Sequence, residues 1–138
     1  MIEYFIPYES GIPTALNELG FDEACFGIYN RNEIQTPKAT LAIGTLCLVG
    51  HTQKGYKHDD YIAAPLYCQV QDWLRLNHEM NLEPYQADSG NYVYSLTTTG
   101  ANNARIAQAG NYPYRDALLK GIIKAIEIIK RRQNENRS

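Results

Sequence analysis

The side chains best suited to hold a metal lie together in "HTQKGYKHDDY" at 51 to 61, which carries His51, His58, Asp59 and Asp60. Imidazole and carboxylate together suit zinc or manganese, and two carboxylates alone could hold the magnesium of a nuclease-type centre. Against that, Lys54 and Lys57 in the same stretch repel a cation, and the spacing matches no defined ligand motif. A solvated loop is the simpler reading. A second cluster, Asp22, Glu23 and Cys25 in "ELGFDEACFGIYN", sets two carboxylates and a thiol between Phe21, Phe26 and Ile28. Nucleophilic catalysis would need a base in reach, and nothing in sequence pairs Cys25, Cys47 or Cys68 with a histidine. Three widely spaced cysteines among apolar neighbours read as reduced, buried thiols. His78-Glu79 begins like a zinc-protease helix, but position 82 is Leu where the second histidine is required. "TTTGANNA" at 97 to 104 lacks the spacing and the lysine of a phosphate-binding loop and reads as a turn.

Binding chemistry is better supplied. The chain has 11 Tyr against 3 Phe and 1 Trp, and an excess of this half-polar ring points to half-buried sheet faces or a recognition surface. Tyr85, Tyr92 and Tyr94 fall on or near an expected hairpin, with Arg105 opposite and Arg115 just beyond, beside Tyr112 and Tyr114. Aromatic rings on a sheet with arginines nearby are the physical basis of base stacking. The plainer alternative packs alternate tyrosines under helices and leaves the rest on a solvated face.

The elements that must position these groups follow from periodicity. "PTALNELG" fits a short helix with Ser10 or Thr14 as cap, Pro13 in the first turn and Gly20 just past the end. "ACFGIYN" and "ATLAIGTLCLVG" read as strands, the second bent at Gly44. In "APLYCQVQDWLRLNHEM", Leu66, Val70, Trp73, Leu74 and Asn77 follow helical spacing, with Pro65 at the first turn. After "NLEP", a turn at Ser89-Gly90-Asn91 precedes the strand "YVYSLTTT", and a short return strand is expected near Ala104 to Gln108. "YRDALLKGIIKAIEIIKRR" closes the chain as a helix with Leu118, Ile122, Ala125, Ile126 and Ile129 on one stripe and Leu119 and Ile123 beside it. The fold expected is α+β: a small antiparallel sheet with two main helices packed on one face, plus an N-terminal short helix and apolar strands. Residues 1–133 read as one domain and 134–138 as a polar tail.

At 138 residues, 44% hydrophobic and 20% charged, the chain can build an ordinary core without metal or disulfide. No cofactor is expected. Net charge is −2, so there is no global attraction to nucleic acid or an anionic membrane. The charge is unevenly spread: Glu3, Glu9, Glu18, Asp22, Glu23 and Glu33 face only Arg31 and Lys38 in the first 50 residues. From 111 onward, Arg115, Lys120, Lys124, Lys130, Arg131, Arg132 and Arg137 outnumber Asp116, Glu127 and Glu135. Glu3 and Pro7 interrupt any signal-peptide pattern, and the longest apolar run is about half the ~20 residues of a membrane span, so a cytoplasmic protein with no membrane partner is expected.

The combination of Pro7-Tyr8-Glu9, Gly20 to Glu23 with Cys25-Phe26, Ala64-Pro65 with Gln69 and Trp73, and Tyr114 to Ala117 resembles a family of small proteins from phages and prophages of gut Bacteroidetes. The chain departs from that pattern in Ser10-Gly11-Ile12-Pro13 after the opening triplet and in Pro113 where a capping Thr is usual. The resemblance supports the fold and implies no catalytic residue. The function expected is therefore a non-enzymatic phage-type accessory or binding protein. Its partner would be a protein, a second copy of itself, or nucleic acid, met through the Tyr-rich sheet or the basic C-terminal helix. The competing expectation is a metal-dependent enzyme acting on nucleic acid through His51, His58, Asp59 and Asp60.

Overall fold

A computed structural model describes residues 5–21, 23, 25, 27–30, 40–43, 61–100 and 104–136. The fold is α+β, and the chain divides into two compact units, residues 1–69 and 70–138.

In the first unit a 3-10 turn at Tyr8–Ser10 leads into helix α1, Ile12–Glu18. Ser10 supports its start: the Ser10 Oγ accepts the Ile12 N–H at 3.2 Å and donates to the Pro7 carbonyl at 2.6 Å. Thr14 lies inside the helix. The far end is a Schellman closure, in which Gly20 N–H bonds the Asn17 carbonyl at 3.2 Å and Phe21 N–H bonds the Leu16 carbonyl at 2.9 Å. Gly20 holds φ +88°, a conformation that penalises any side chain, and Leu16 and Phe21 are both buried beside the closure.

Strand β1, Gly27–Asn30, is the centre of an antiparallel sheet between β2, Thr40–Ile43, and β3, Tyr61–Ala64. The β3 strand corrects the expectation of a loop through Tyr61 and a helix from Ala64. The residue before a proline avoids the helical region, so Ala64 stays extended ahead of Pro65. Phe5, Tyr29 and Ala64 form the buried cluster here, with Tyr8 and Leu66 packed against it. Two backbone links hold the amino-terminal segment to the chain around Pro65: the Phe5–Leu66 bridge and an Ile6 N–H to Pro65 carbonyl bond of 2.9 Å.

Helix α2, Tyr67–His78, starts three residues later than the sequence pattern suggests. Its first turn is fixed by Gln69, whose Oε1 accepts the Leu66 N–H at 2.9 Å, one half of a capping box. Val70, Trp73 and Leu74 are buried, whereas Asn77 is exposed and returns its amide to the Trp73 carbonyl at 3.3 Å.

The second unit's sheet runs in the order β4 (Met80–Gln86), β5 (Tyr92–Thr98), β6 (Arg105–Tyr112), antiparallel throughout. The expected turn near Ser89-Gly90-Asn91 is present, closed by an Ala87 N–H to Asn91 carbonyl bond of 2.8 Å. The β4 strand departs from the reading of "NLEP" as a connection. Its odd residues face β5, as the Thr99 N–H to Glu79 carbonyl and Ala87 N–H to Asn91 carbonyl bonds show, so Pro84 sits where its missing N–H would point away from the ladder. On that same outer side, the Leu82 carbonyl accepts the Gln71 amide from α2 at 3.0 Å.

Helix α3, Tyr114–Asn136, packs over all three strands of this sheet. It extends through 134–136, which the sequence reads as tail. The expected stripe of Leu118, Ile122, Ala125, Ile126 and Ile129 is buried, joined by Ala117, Gly121 and Ile128. Ile123, placed beside that stripe by its spacing, is 39% exposed.

Candidate binding surface

Alternation along the strands divides the expected tyrosine cluster between two faces. Leu82 pairs with Leu96 and Pro84 with Tyr94, and these positions lie under α3, since a Cβ on helix residue Gly121 would sit 3.2 Å from Tyr94 Cβ. Tyr94 is therefore core, and burial, with a smaller contribution from the Tyr112 side, raises its phenol pKa above the usual range. Tyr92 shares that face at the sheet's end, half-buried, with its ring edge-on to Tyr114 at 5.1 Å. Tyr85 lies on the opposite face, exposed, and its hydroxyl accepts the Gln108 side-chain amide. Arg105 is exposed at the start of β6, paired across the strand with Thr97. Arg115 is half-buried in the first turn of α3. The five positions do not share one surface. The packing alternative, some rings under a helix and others on the open face, is what the strand parity produces.

The groups suited to metal or nucleophile chemistry fall only partly within the described residues. His51, His58, Asp59 and Asp60 lie outside the described residues, as do Cys47 and Asp22. No group of three or more His, Cys, Asp or Glu able to hold a metal occurs among the described residues. Cys25 is fully buried, its Sγ donating to the Glu23 carbonyl at 3.4 Å. Burial, reinforced by the Glu23 charge, pushes its pKa up to about 12, which keeps it a thiol and a poor nucleophile at neutral pH. Glu23 itself is exposed, and Cys68 is exposed on α2. His78, the last residue of α2, is half-buried with its ring edge-on to Trp73 at 4.5 Å. Its pKa is lowered, first by burial and then by the charge of Arg132.

The outer side of α3 is rich in charge. Lys120, Lys124, Glu127 and Arg131 recur at helical spacing on one side, with Lys130 and Ile123 alongside. Glu127 holds Lys124 at 3.5 Å and Arg131 at 3.2 Å. Lys120 and Lys130 make no ion pair among the described residues and are exposed, whereas Arg132, also exposed, continues the line of Ala125 and Ile129 and acts on His78. The sequence counts Lys120 among the C-terminal bases, and its place on the exposed side was legible from its spacing to the apolar stripe. No helix among the described residues is long and apolar enough to cross a membrane.

No protein family, curated protein or solved structure matches the chain.

Proposed function

We propose that this protein is a non-enzymatic accessory protein of the phage and prophage kind its sequence resembles, and that it binds the phosphate backbone of nucleic acid through the outer side of α3. The observation that carries this reading is the pair of exposed cations on that side, Lys120 and Lys130, which lack carboxylate partners among the described residues. Cations already paired gain little from a polyanion, whereas unpaired ones release the counterions condensed on it. The same helix is anchored by its buried stripe, so the charges are presented on a rigid element. Base stacking has little support, because Tyr94 is buried and Tyr85 and Tyr92 lie on opposite sheet faces.

The test is a fluorescence-anisotropy titration with labelled single-stranded and duplex oligonucleotides at about 50 and 200 mM salt. Binding that weakens steeply with salt is expected. The Lys120→Ala/Lys130→Ala double variant should flatten the log–log slope by about 0.9 for each duplex phosphate it no longer neutralises. A wild-type protein that binds neither oligonucleotide at the lower salt would rule the reading out.

A further inference from the structure

The two edges of the second sheet are built differently. On β4 the outward side carries Pro84, which has no N–H to offer, and the Leu82 carbonyl is already taken by Gln71. On β6 nothing equivalent occurs among the described residues. Thr98 N–H bonds the Ala104 carbonyl at 2.8 Å, and Ala107 and Ala109 stand opposite Leu96 and Tyr94. The even residues of β5 therefore bond toward β6, and the alternation turns the main-chain N–H and C=O of Gln108 and Gly110 away from the sheet. Both residues are exposed, and these backbone groups have no partner among the described residues. Irregularities at Tyr92/Val93 and Leu96/Thr97 bound the regular stretch at Ala107–Gly110.

We propose that this edge of β6 pairs with the same edge of a second copy of the chain, antiparallel, about a two-fold axis through Gln108. The strand is its own complement in that register. Gln108 meets Gln108 and exchanges two main-chain hydrogen bonds, Ala107 meets Ala109, and Arg105, the only charged residue of β6, lies outside the regular stretch and away from the axis. Small side chains at 107, 109 and 110 let the backbones approach. The two-fold axis stands perpendicular to the sheet, so the product is one six-stranded sheet with both copies of α3 on the same face.

Sedimentation equilibrium and light scattering across a concentration series test the pairing. A mass rising from 15.7 kDa toward twice that value is expected for the wild type. Gln108→Lys sets like charges against each other at the axis and should weaken association about fivefold or more, with partial recovery in high salt. Gln108→Pro removes an N–H that points away from β5 and should abolish association. Circular dichroism of the Gln108→Lys variant should match the wild type and its unfolding midpoint should move little, because the side chain and the hydrogen bond it gives Tyr85 are both exposed. A wild type that stays at 15.7 kDa up to about 1 mM overturns the proposal. So does a dimer that both Gln108 variants form as readily as the wild type, since its interface must then lie elsewhere.

Discussion

A single hydroxyl ties the amino-terminal segment to β1: Tyr29 donates to the Ile6 carbonyl at 2.6 Å in a buried setting. Tyr29→Phe leaves that carbonyl without its donor and should cost about 1–3 kcal/mol in urea unfolding. The same burial pushes the Tyr29 pKa up to about 12 from 10.0. The folded state therefore holds this proton where the unfolded chain has released it, and stability should fall as pH rises from about 10 to 12, a loss absent in Tyr29→Phe. His78 acts at the other end of the scale. Its folded pKa lies below 6.5, so its contribution is fully present above that value. Stability should fall as pH drops from 6.5 toward the folded pKa, because the unfolded chain binds the proton more readily, and unfolding curves of His78→Gln should show a shallower acid dependence. Gly110 is constrained by space: an added Cβ would collide with Val93 Cα and lie 2.7 Å from Val93 Cβ. Backbone cannot yield as a side-chain tip can, so Gly110→Ala should lower stability by about 1–3 kcal/mol, read from the thermal midpoint. Not all of this was legible beforehand. Gly20 announced a helix end by its type and place, whereas the Tyr29 bond and the Gly110 packing join residues 23 and 17 positions apart, a distance over which local pattern says nothing.

Among the elements, α3 gives the clearest separation of pattern from packing. Ile122 and Ile123 are adjacent and chemically identical, yet one is fully buried and the other 39% exposed. Ile122→Ala should cost about 2–5 kcal/mol and Ile123→Ala well under ~1 kcal/mol, measured by chemical denaturation. Helical periodicity found this helix and most of its buried stripe because every turn repeats the signal. It missed Ile128, which widens the buried face past the stripe. The β4 strand was hidden for a different reason. Met80 and Leu82 alternate with Asn81 and Glu83 as a half-buried strand should, but Pro84 argues against a strand unless the strand is known to be an edge, and edge position is a property of the finished sheet. The late start of α2 has two local causes: Pro65 keeps Ala64 extended, which the dipeptide announces, and Gln69 caps Leu66, which sets the first helical residue at Tyr67.

For the molecule as a whole, the α+β class was legible because an amphipathic helix with a broad apolar face needs a sheet to cover. The surface was not, because strand parity depends on register, and register decided that Tyr94 is core while Tyr85 meets water. One consequence of the sheet's asymmetry concerns growth. A sheet with two open edges that accepts a neighbour at one remains open at the other and can add copies without limit, as fibrils do. With Pro84 and Gln71 stopping β4, the proposed joining at β6 uses the one edge of this sheet left open among the described residues in each copy, and growth through this sheet stops at two. Pro84→Thr combined with Gln71→Ala should remove that stop. Light scattering of the double variant is expected to show species larger than a dimer that increase with concentration, and thioflavin fluorescence should rise with them. A proline that costs the β5 ladder nothing would thus separate a finite assembly from a polymer.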